Sequence, residues 1–428
     1  MPIKYLRVTF RGGLVRLNLH LLGLAIASAG VPSLHAQFSF TLDGRPVQVH
    51  SFFSQGFGYS NDNNYLTMKT SQGSFAMTEA GLNASMQVTD RLRIGAQVYD
   101  RNIGNLGAWH PQLDWAVADY RFKDWLGVRG GVVKTVFGLE NETQDEECLH
   151  TFALLPQSVY ATDLRDAWLR HRGGDLYGEI PLRGLGSLSY TGWAGLRQDS
   201  RYGGYPYLLS VLGARFDSYG GLQVGGDVRW NTPLRGLVAG ASRMSQDIDG
   251  KGTWYLTPGL FPIPEPMLIP YQEHTIRDWT HQFYGQYSAG NWRLASEYRR
   301  YWRDQRTFND MWEIRSDVRG WYVSAAYRLT KQLEVGSYYS RWVVTWSNSV
   351  PGSIQGSPDQ DAPDRHVYDK VVTARFDLNH HWHVKVEGHF MDGYGATWGF
   401  PSGFYQQDNP DGLKPKTNLL LIRTGWNF

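Results

Sequence analysis

Hydrophobic and polar residues alternate along much of this chain with a period of two. From Trp292 to Arg303, Trp292, Leu294 and Trp302 share one side, while Arg293, Glu297, Arg299 and Arg303 share the other. Between Trp382 and Phe390, Trp382, Val384, Val386 and Phe390 oppose His383, Lys385, Glu387 and His389. Ser74 to Thr89 sets Ala80, Leu82, Ala84, Met86 and Val88 against Glu79, Asn83 and Gln87. Leu92 to Arg101 sets Leu92, Ile94, Ala96 and Val98 against Arg93, Gly95, Gln97 and Tyr99. Leu222 to Trp230 (Asp227 and Arg229 on the polar side) and Trp279 to Ser288 (Thr280, Gln282 and Gln286) follow suit. A period of two is that of a β-strand with one oily and one wet side. The last stretch, Thr417 to Phe428, puts Leu420, Ile422, Thr424, Trp426 and Phe428 on one face and Arg423, Gly425 and Asn427 on the other. A strand that runs to an aromatic terminal residue would be an open edge in an ordinary sheet; a closed barrel pairs its last strand with its first.

The connections between these segments come in two alternating sizes. Short ones sit near Asp90-Arg91, Lys123-Asp124-Trp125, Arg183 to Gly186, Thr232 to Gly236, Ala289 to Asn291, Thr330 to Gln332 and Asn379 to His381. Long ones occupy about 61–73, 102–111, 138–163, 199–214, 247–276, 304–314, 346–365 and 393–416. Tyr207 to Phe216 has strand-like character but is placed mostly in the fourth long loop, which keeps the total even. The expected fold is all-β: a transmembrane antiparallel up-and-down β-barrel of about sixteen strands, with short periplasmic turns and long extracellular loops. Regrouping of short segments would give fourteen or eighteen. An Arg or Lys facing lipid near the midplane costs roughly 2–4 kcal/mol, so the charged sides must face water, which in a barrel this wide is a lumen.

Composition agrees with that expectation. The chain has 48 Gly, 17 Trp and 25 Tyr with a mean hydropathy of −0.42. Low hydropathy with abundant aromatics suits a barrel in which only alternate residues meet lipid and Trp and Tyr collect at the interfaces. The amino terminus carries Lys4, Arg7, Arg11 and Arg16, no acid, and an apolar run from Leu17 to Ala29, the layout of a secretory leader. Cleavage is expected after Ala29 or Ala36, with Ala36 preferred; this divides the chain into a leader, 1–36, and a barrel, 37–428. Loss of the four bases takes the formal net charge from +2 to about −2, so nothing in the overall charge points to nucleic acid. The lone Cys148 excludes an intramolecular disulfide and a cysteine-rich metal site.

The third long loop, 138–163, is the most distinctive stretch. It carries Glu140, Glu142, Asp145, Glu146 and Glu147 with no Lys or Arg between Lys134 and Arg165, then the apolar run Phe152 to Leu155. That apolar half needs something to pack on. Folding into the lumen would satisfy it, bring the carboxylates to inward bases and narrow the passage. Lys134-Thr135-Val136-Phe137-Gly138-Leu139-Glu140-Asn141-Glu142, followed by Leu154-Leu155-Pro156-Gln157-Ser158-Val159-Tyr160 and Leu164-Arg165-Asp166, resembles the third-loop pattern of porins related to the phosphate-selective porin O/P family. The terminal strand likewise resembles the carboxy-terminal signal strand of bacterial outer-membrane barrels. The likeness covers about 35 residues and implies a sixteen-stranded, usually trimeric diffusion channel whose third loop enters the pore. Dense lysine and arginine rows confer phosphate selectivity in that family; here the loop is acidic and bases alternate with acids, so phosphate specificity is not carried over.

The inward bases on this reading are Arg93, Arg101, Arg229, Arg293, Arg299, Arg303, Arg328, Arg375, Lys385 and Arg423, against Glu79, Asp227, Glu297, Asp377 and Glu387. With the acidic loop opposite, they would set up a transverse field at the constriction and a weak anion preference. The expected function is passive diffusion of small hydrophilic solutes or anions by a homotrimer in the outer membrane, in contact with its lipid and lipopolysaccharide, with no cofactor and no nucleic acid. The alternatives are a lipid-acting barrel enzyme and a scaffold barrel sheathing a partner. Asp359, Asp361 and Asp364 are a candidate Ca²⁺ loop and His380, His381 and His383 a candidate metal cluster, both more simply read as ordinary loop and turn residues. The chain has no nucleophile-elbow, phosphate-loop or haem-attachment motif.

Overall fold

The computed structural model describes residues 8–10, 13–15, 38–258, 263–350, 353–357, 361–395 and 402–428. Sixteen long strands form the wall: β1 (Arg45–Ser60), β2 (Ser74–Gln87), β3 (Leu92–Ile103), β4 (Gln112–Lys123), β5 (Leu126–Lys134), β6 (Arg170–Pro181), β7 (Ser187–Gln198), β8 (Ala214–Asn231), β9 (Leu237–Leu256), β10 (Met267–Ala289), β11 (Trp292–Thr307), β12 (Trp312–Arg328), β13 (Leu333–Val350), β14 (His366–Asp377), β15 (Trp382–Asp392) and β16 (Lys416–Asn427). Each pairs antiparallel with its neighbours in sequence, and β16 closes on β1 with Arg423 opposite Gly56 and Asn427 opposite Phe52. Closure reaches the final residue. Phe428 donates its amide to Ser51 O at 2.8 Å, and its carbonyl accepts from Ser51 N at 3.1 Å. No edge is left open along that seam.

Three of the short turns share one device. The side-chain oxygens of Thr89, Thr330 and Asn379 each accept the amide N–H three residues on, from Leu92 at 3.0 Å, Leu333 at 3.0 Å and Trp382 at 2.9 Å. Such side-chain-to-backbone bonds fix a tight turn locally, before any tertiary contact. The strands they join are apolar outside and polar inside: Leu222, Phe283 and Phe390 are 50%, 56% and 52% exposed, whereas Gln97, Gln223 and Gln282 are fully buried. That inversion of the usual globular order belongs to a barrel whose outer solvent is hydrocarbon.

The structure departs from the sequence expectations in how far strands run. The segment 247–276 is not one long loop: β9 continues to Leu256 and β10 begins at Met267. Its polar composition reads as loop, but an aromatic collar holds the extended hairpin, with Trp254 against Tyr271 (4.7 Å) and Phe308 (4.9 Å), and Phe308 against Trp312 (4.7 Å). For the same reason the connection expected at 304–314 shrinks to the four residues between Thr307 and Trp312. Tyr207 to Phe216 splits between a short helix, Gly204–Ser210, and the start of β8. The lead-in is itself a strand, Phe38–Leu42, hairpinned onto β1 through Asp43-Gly44, both with positive φ as a type I′ turn requires. It covers the part of β1 below Phe52 that β16 does not reach. Of the expected leader, only the small hairpin Val8–Phe10 and Gly13–Val15 lies within the described residues.

Candidate functional site

Between β5 and β6 the chain leaves the wall for residues 135–169, a run of turns and short helices. Gly138, with φ at +73°, meets the wall first: a Cβ there would stand 1.9 Å from Gln282 Nε2 and 2.5 Å from Glu297 Oε2. Only glycine fits that approach. Glu297 on β11 then gathers four donors: Leu139 N (3.1 Å), Tyr160 Oη (2.6 Å), Tyr322 Oη (2.8 Å) and Gln282 Nε2 (2.5 Å). Arg299, buried beside it, lies over the rings of Trp168 (4.8 Å), Phe137 (5.3 Å) and Tyr160 (5.6 Å) and donates to Gln282 Oε1. Arg229 Nη2 donates to Gly138 O at 3.1 Å.

Residues 147–154 are gripped by β14, β15 and β16. Lys385 Nζ contacts Glu147 Oε1 at 2.5 Å and donates to the Glu147 and Phe152 carbonyls. Arg375 donates to the carbonyls of Cys148 and His150, both at 2.7 Å, and Arg423 to that of Ala153 at 2.9 Å. Glu387 does the converse, accepting the amides of Ala153 (2.8 Å) and Leu154 (3.0 Å). A segment with a single 3-10 turn, Glu147–Leu149, leaves much of its backbone unpaired, and buried unpaired groups are costly; wall charges supply the missing partners. Arg293 Nη2 reaches Thr151 Oγ1 at 2.8 Å, and Arg423 also pairs with Glu79.

The loop acids divide into two groups. Asp145 is buried, 2.6 Å from Lys134 Nζ and 2.7 Å from Gln97 Nε2, in a network that includes Asp114 and Arg165 (2.8 Å apart). Glu147 is buried between Lys385 and His383 Nε2 (2.7 Å). Burial acts to raise its carboxyl, but the Lys385 ammonium and the His383 imidazole together bring it down to about 2. Glu140 stands 3.6 Å from His150 Nδ1, Glu142 is 3.7 Å from Arg129, and Glu146 is half-buried. Arg93 lies apart from all of these, bonded to Ser85 Oγ at 3.0 Å near a short turn. Burial pushes the Cys148 thiol up to about 11, leaving it protonated and inert at neutral pH. Between the segment and the wall is a cavity of about 40 Å³, room for a few waters, whose polar lining includes Glu79, Arg101, Glu147, Arg165 and Arg423.

Charge patterning identifies the wall bases but not their partners. The Lys134–Asp114–Arg165 network and the four-donor role of Glu297 depend on strands distant in sequence. The sequence does carry a signal in its glycines. Gly320 and Gly425 occupy inward positions among large side chains; a Cβ would stand 1.8 Å from Ser158 O at the first and 2.6 Å from Glu147 Oε2 at the second. Glycine inside a strand marks close approach of another chain segment. The three histidines near the last short turn do not converge: His383 turns inward to Glu147, while His381 stacks near Phe428. In the aspartate loop, Asp359 lies outside the described residues.

Known family models and curated proteins give no match to this sequence. Solved structures do. OmpT of Vibrio cholerae, in a form lacking loop L8, superposes with a TM-score of 0.53 at 12% identity over 90% of this chain and 100% of that one. The anion-selective porin of Comamonas acidovorans gives 0.52 at 12% identity over 89% and 99%. The outer-membrane channel DcaP of Acinetobacter baumannii gives 0.52 at 9% identity over 92% and 100%. At such identities the likeness is one of architecture, and that architecture is the sixteen-stranded barrel of bacterial outer-membrane proteins, porins among them.

Proposed function

We propose that the chain is an outer-membrane porin, a passive channel for small hydrophilic solutes, in which residues 138–163 lie across the lumen and set its narrowest passage. The observation that carries this reading is the grip of inward Arg375, Lys385, Arg423 and Glu387 on residues 147–154. Wall charges spent on one internal segment suit a constriction and leave no wide empty bore for a sheathed partner. On this reading residues 1–36 are a leader removed on export, and the barrel assembles as a homotrimer. Three wall bases, Arg101, Arg229 and Arg293, meet the segment at neutral oxygens, those of Thr162, Gly138 and Thr151, which supports a weak anion preference. Planar-bilayer recording tests both parts. Discrete conductance steps are expected, with a reversal potential displaced slightly toward the anion side under a salt gradient; silence, or strong cation preference, overturns the proposal.

A further inference from the structure

The outer wall carries a row of bases. Arg243, His281, Arg300 and Arg319 are directly opposite one another across β9, β10, β11 and β12, forming one lateral row. They point outward, because Ser242, Gln282, Arg299 and Gly320 beside them face the interior segment. Like charges opposed on neighbouring strands repel. One carboxylate intervenes: Asp317 takes Arg300 at 2.9 and 2.7 Å and Arg319 at 2.8 Å, leaving the row with an excess of positive charge.

The surroundings of the row fit a particular ligand. On its long-loop side Arg243 lies over Trp279 (5.3 Å) and Arg300 over Trp302 (4.3 Å). On its short-turn side the next outward register is Phe283, Tyr298 and Trp321. The row stands six to nine residues from the short-turn ends of its strands, Leu237, Ala289, Trp292 and Arg328. At about 2.5 Å of height per tilted residue that is roughly 15–23 Å, close to the upper border of an apolar band about 25 Å tall. Below the aromatic register, small outward residues Gly285, Ser296, Ala325 and Ser337 leave an open, mainly apolar groove of about 720 Å³, with Lys370 at its edge.

We propose that this surface docks a phosphate-bearing lipid of the outer leaflet, the phosphate on the Arg243–Arg319 row and an acyl chain in the groove beneath. Charge complementarity selects an anionic head, and the groove's position selects a tail that enters the bilayer. The proposal rests on the barrel lying in the outer membrane and not on its conducting.

Native mass spectrometry of the full folded chain in detergent provides the test, with bis-phosphorylated lipid A, its dephosphorylated form and inorganic phosphate as separate additives. The phosphorylated lipid should be retained about tenfold or more better than the dephosphorylated form, and inorganic phosphate should not be retained. Arg300→Gln with Arg319→Gln should abolish that preference while leaving conductance and heat-modifiable mobility unchanged. Should that pair fail to fold, Arg243→Gln alone should weaken retention severalfold. Equal retention of both lipids, retention of inorganic phosphate alone, retention unaffected by the substitutions, or dissociation of an oligomer on substitution would each overturn the proposal. Selective lipid retention by a barrel silent in bilayers would sink the channel reading and leave this one standing.

Discussion

At the scale of single residues, the internal segment depends on a few positions with no freedom to change. Gly138 combines a positive φ with a wall 1.9 Å from where a Cβ would stand. Gly138→Ala should lower stability by about 1–3 kcal/mol, read as a lower unfolding midpoint in detergent, and raise conductance as the segment shifts. Glu147→Gln leaves the buried Lys385 ammonium without its counter-charge, a change that costs about 3–5 kcal/mol in buried pairs. The pH dependence of this pair has a definite sign. With the carboxyl lowered from 4.5 to about 2, its contribution is complete above pH 4.5 and is lost only as the pH falls toward 2. Conductance recorded from pH 7 to pH 4 should therefore show no opening from this contact; a transition near pH 4 that Glu147→Gln removes would contradict the assignment. Which side chains face inward was legible in the sequence, because a period of two leaves one choice once a single lipid-facing residue is fixed. That Lys385 meets Glu147 was not, since 238 positions separate it from the carbonyl it also bonds.

At the scale of elements, strand length was the quantity that composition concealed. Ser245 to Gly252 alternates poorly and is rich in Asp and Gly, so it reads as loop. It is a strand because its hairpin partner and the neighbouring hairpin supply Tyr271, Phe308 and Trp312 to cover Trp254. Above the bilayer the outward side of this strand carries Asp247, Asp249 and Lys251 into water while Ile248 and Trp254 are buried inward, so the lipid-facing apolar residues that mark strands elsewhere are missing. Trp254→Ala should open that collar at a local cost of about 3–5 kcal/mol. Limited proteolysis of the folded barrel should then cut between Leu256 and Met267 faster than in the unsubstituted protein, while the midpoint of global unfolding moves little. Unchanged cleavage would mean that backbone pairing alone holds the hairpin.

At the scale of the whole molecule, the barrel and its internal segment are separable in one respect and coupled in another. The wall closes through strand pairing from β1 to β16, to which residues 140–160 contribute nothing. The same residues bring Phe152, Leu154 and Tyr160 to the interior core, bury Asp145 and Glu147 in ion pairs with Lys134 and Lys385, and leave Glu140, Glu142 and Glu146 half-buried. Replacing 140–160 by a short Gly/Ser linker should therefore leave a barrel that inserts and resists detergent, at a lower unfolding midpoint because buried apolar area is lost. Its selectivity follows from which charges remain. Arg375, Lys385 and Arg423 would lose the carbonyls they now bond, and Lys385 its carboxylate, so wall bases would face water with fewer opposing acids. Anion preference should rise, and single-channel conductance should increase about twofold or more as the passage widens. Charge and width move the reversal potential in opposite directions, since a wider bore screens fixed charge over a Debye length of about 8 Å. Recording at about 0.05 M and 1 M salt separates them: the gain in anion preference should be large at the lower concentration and nearly vanish at the higher. Unaltered conductance in the shortened protein would show that residues 140–160 do not limit the passage, whatever they touch.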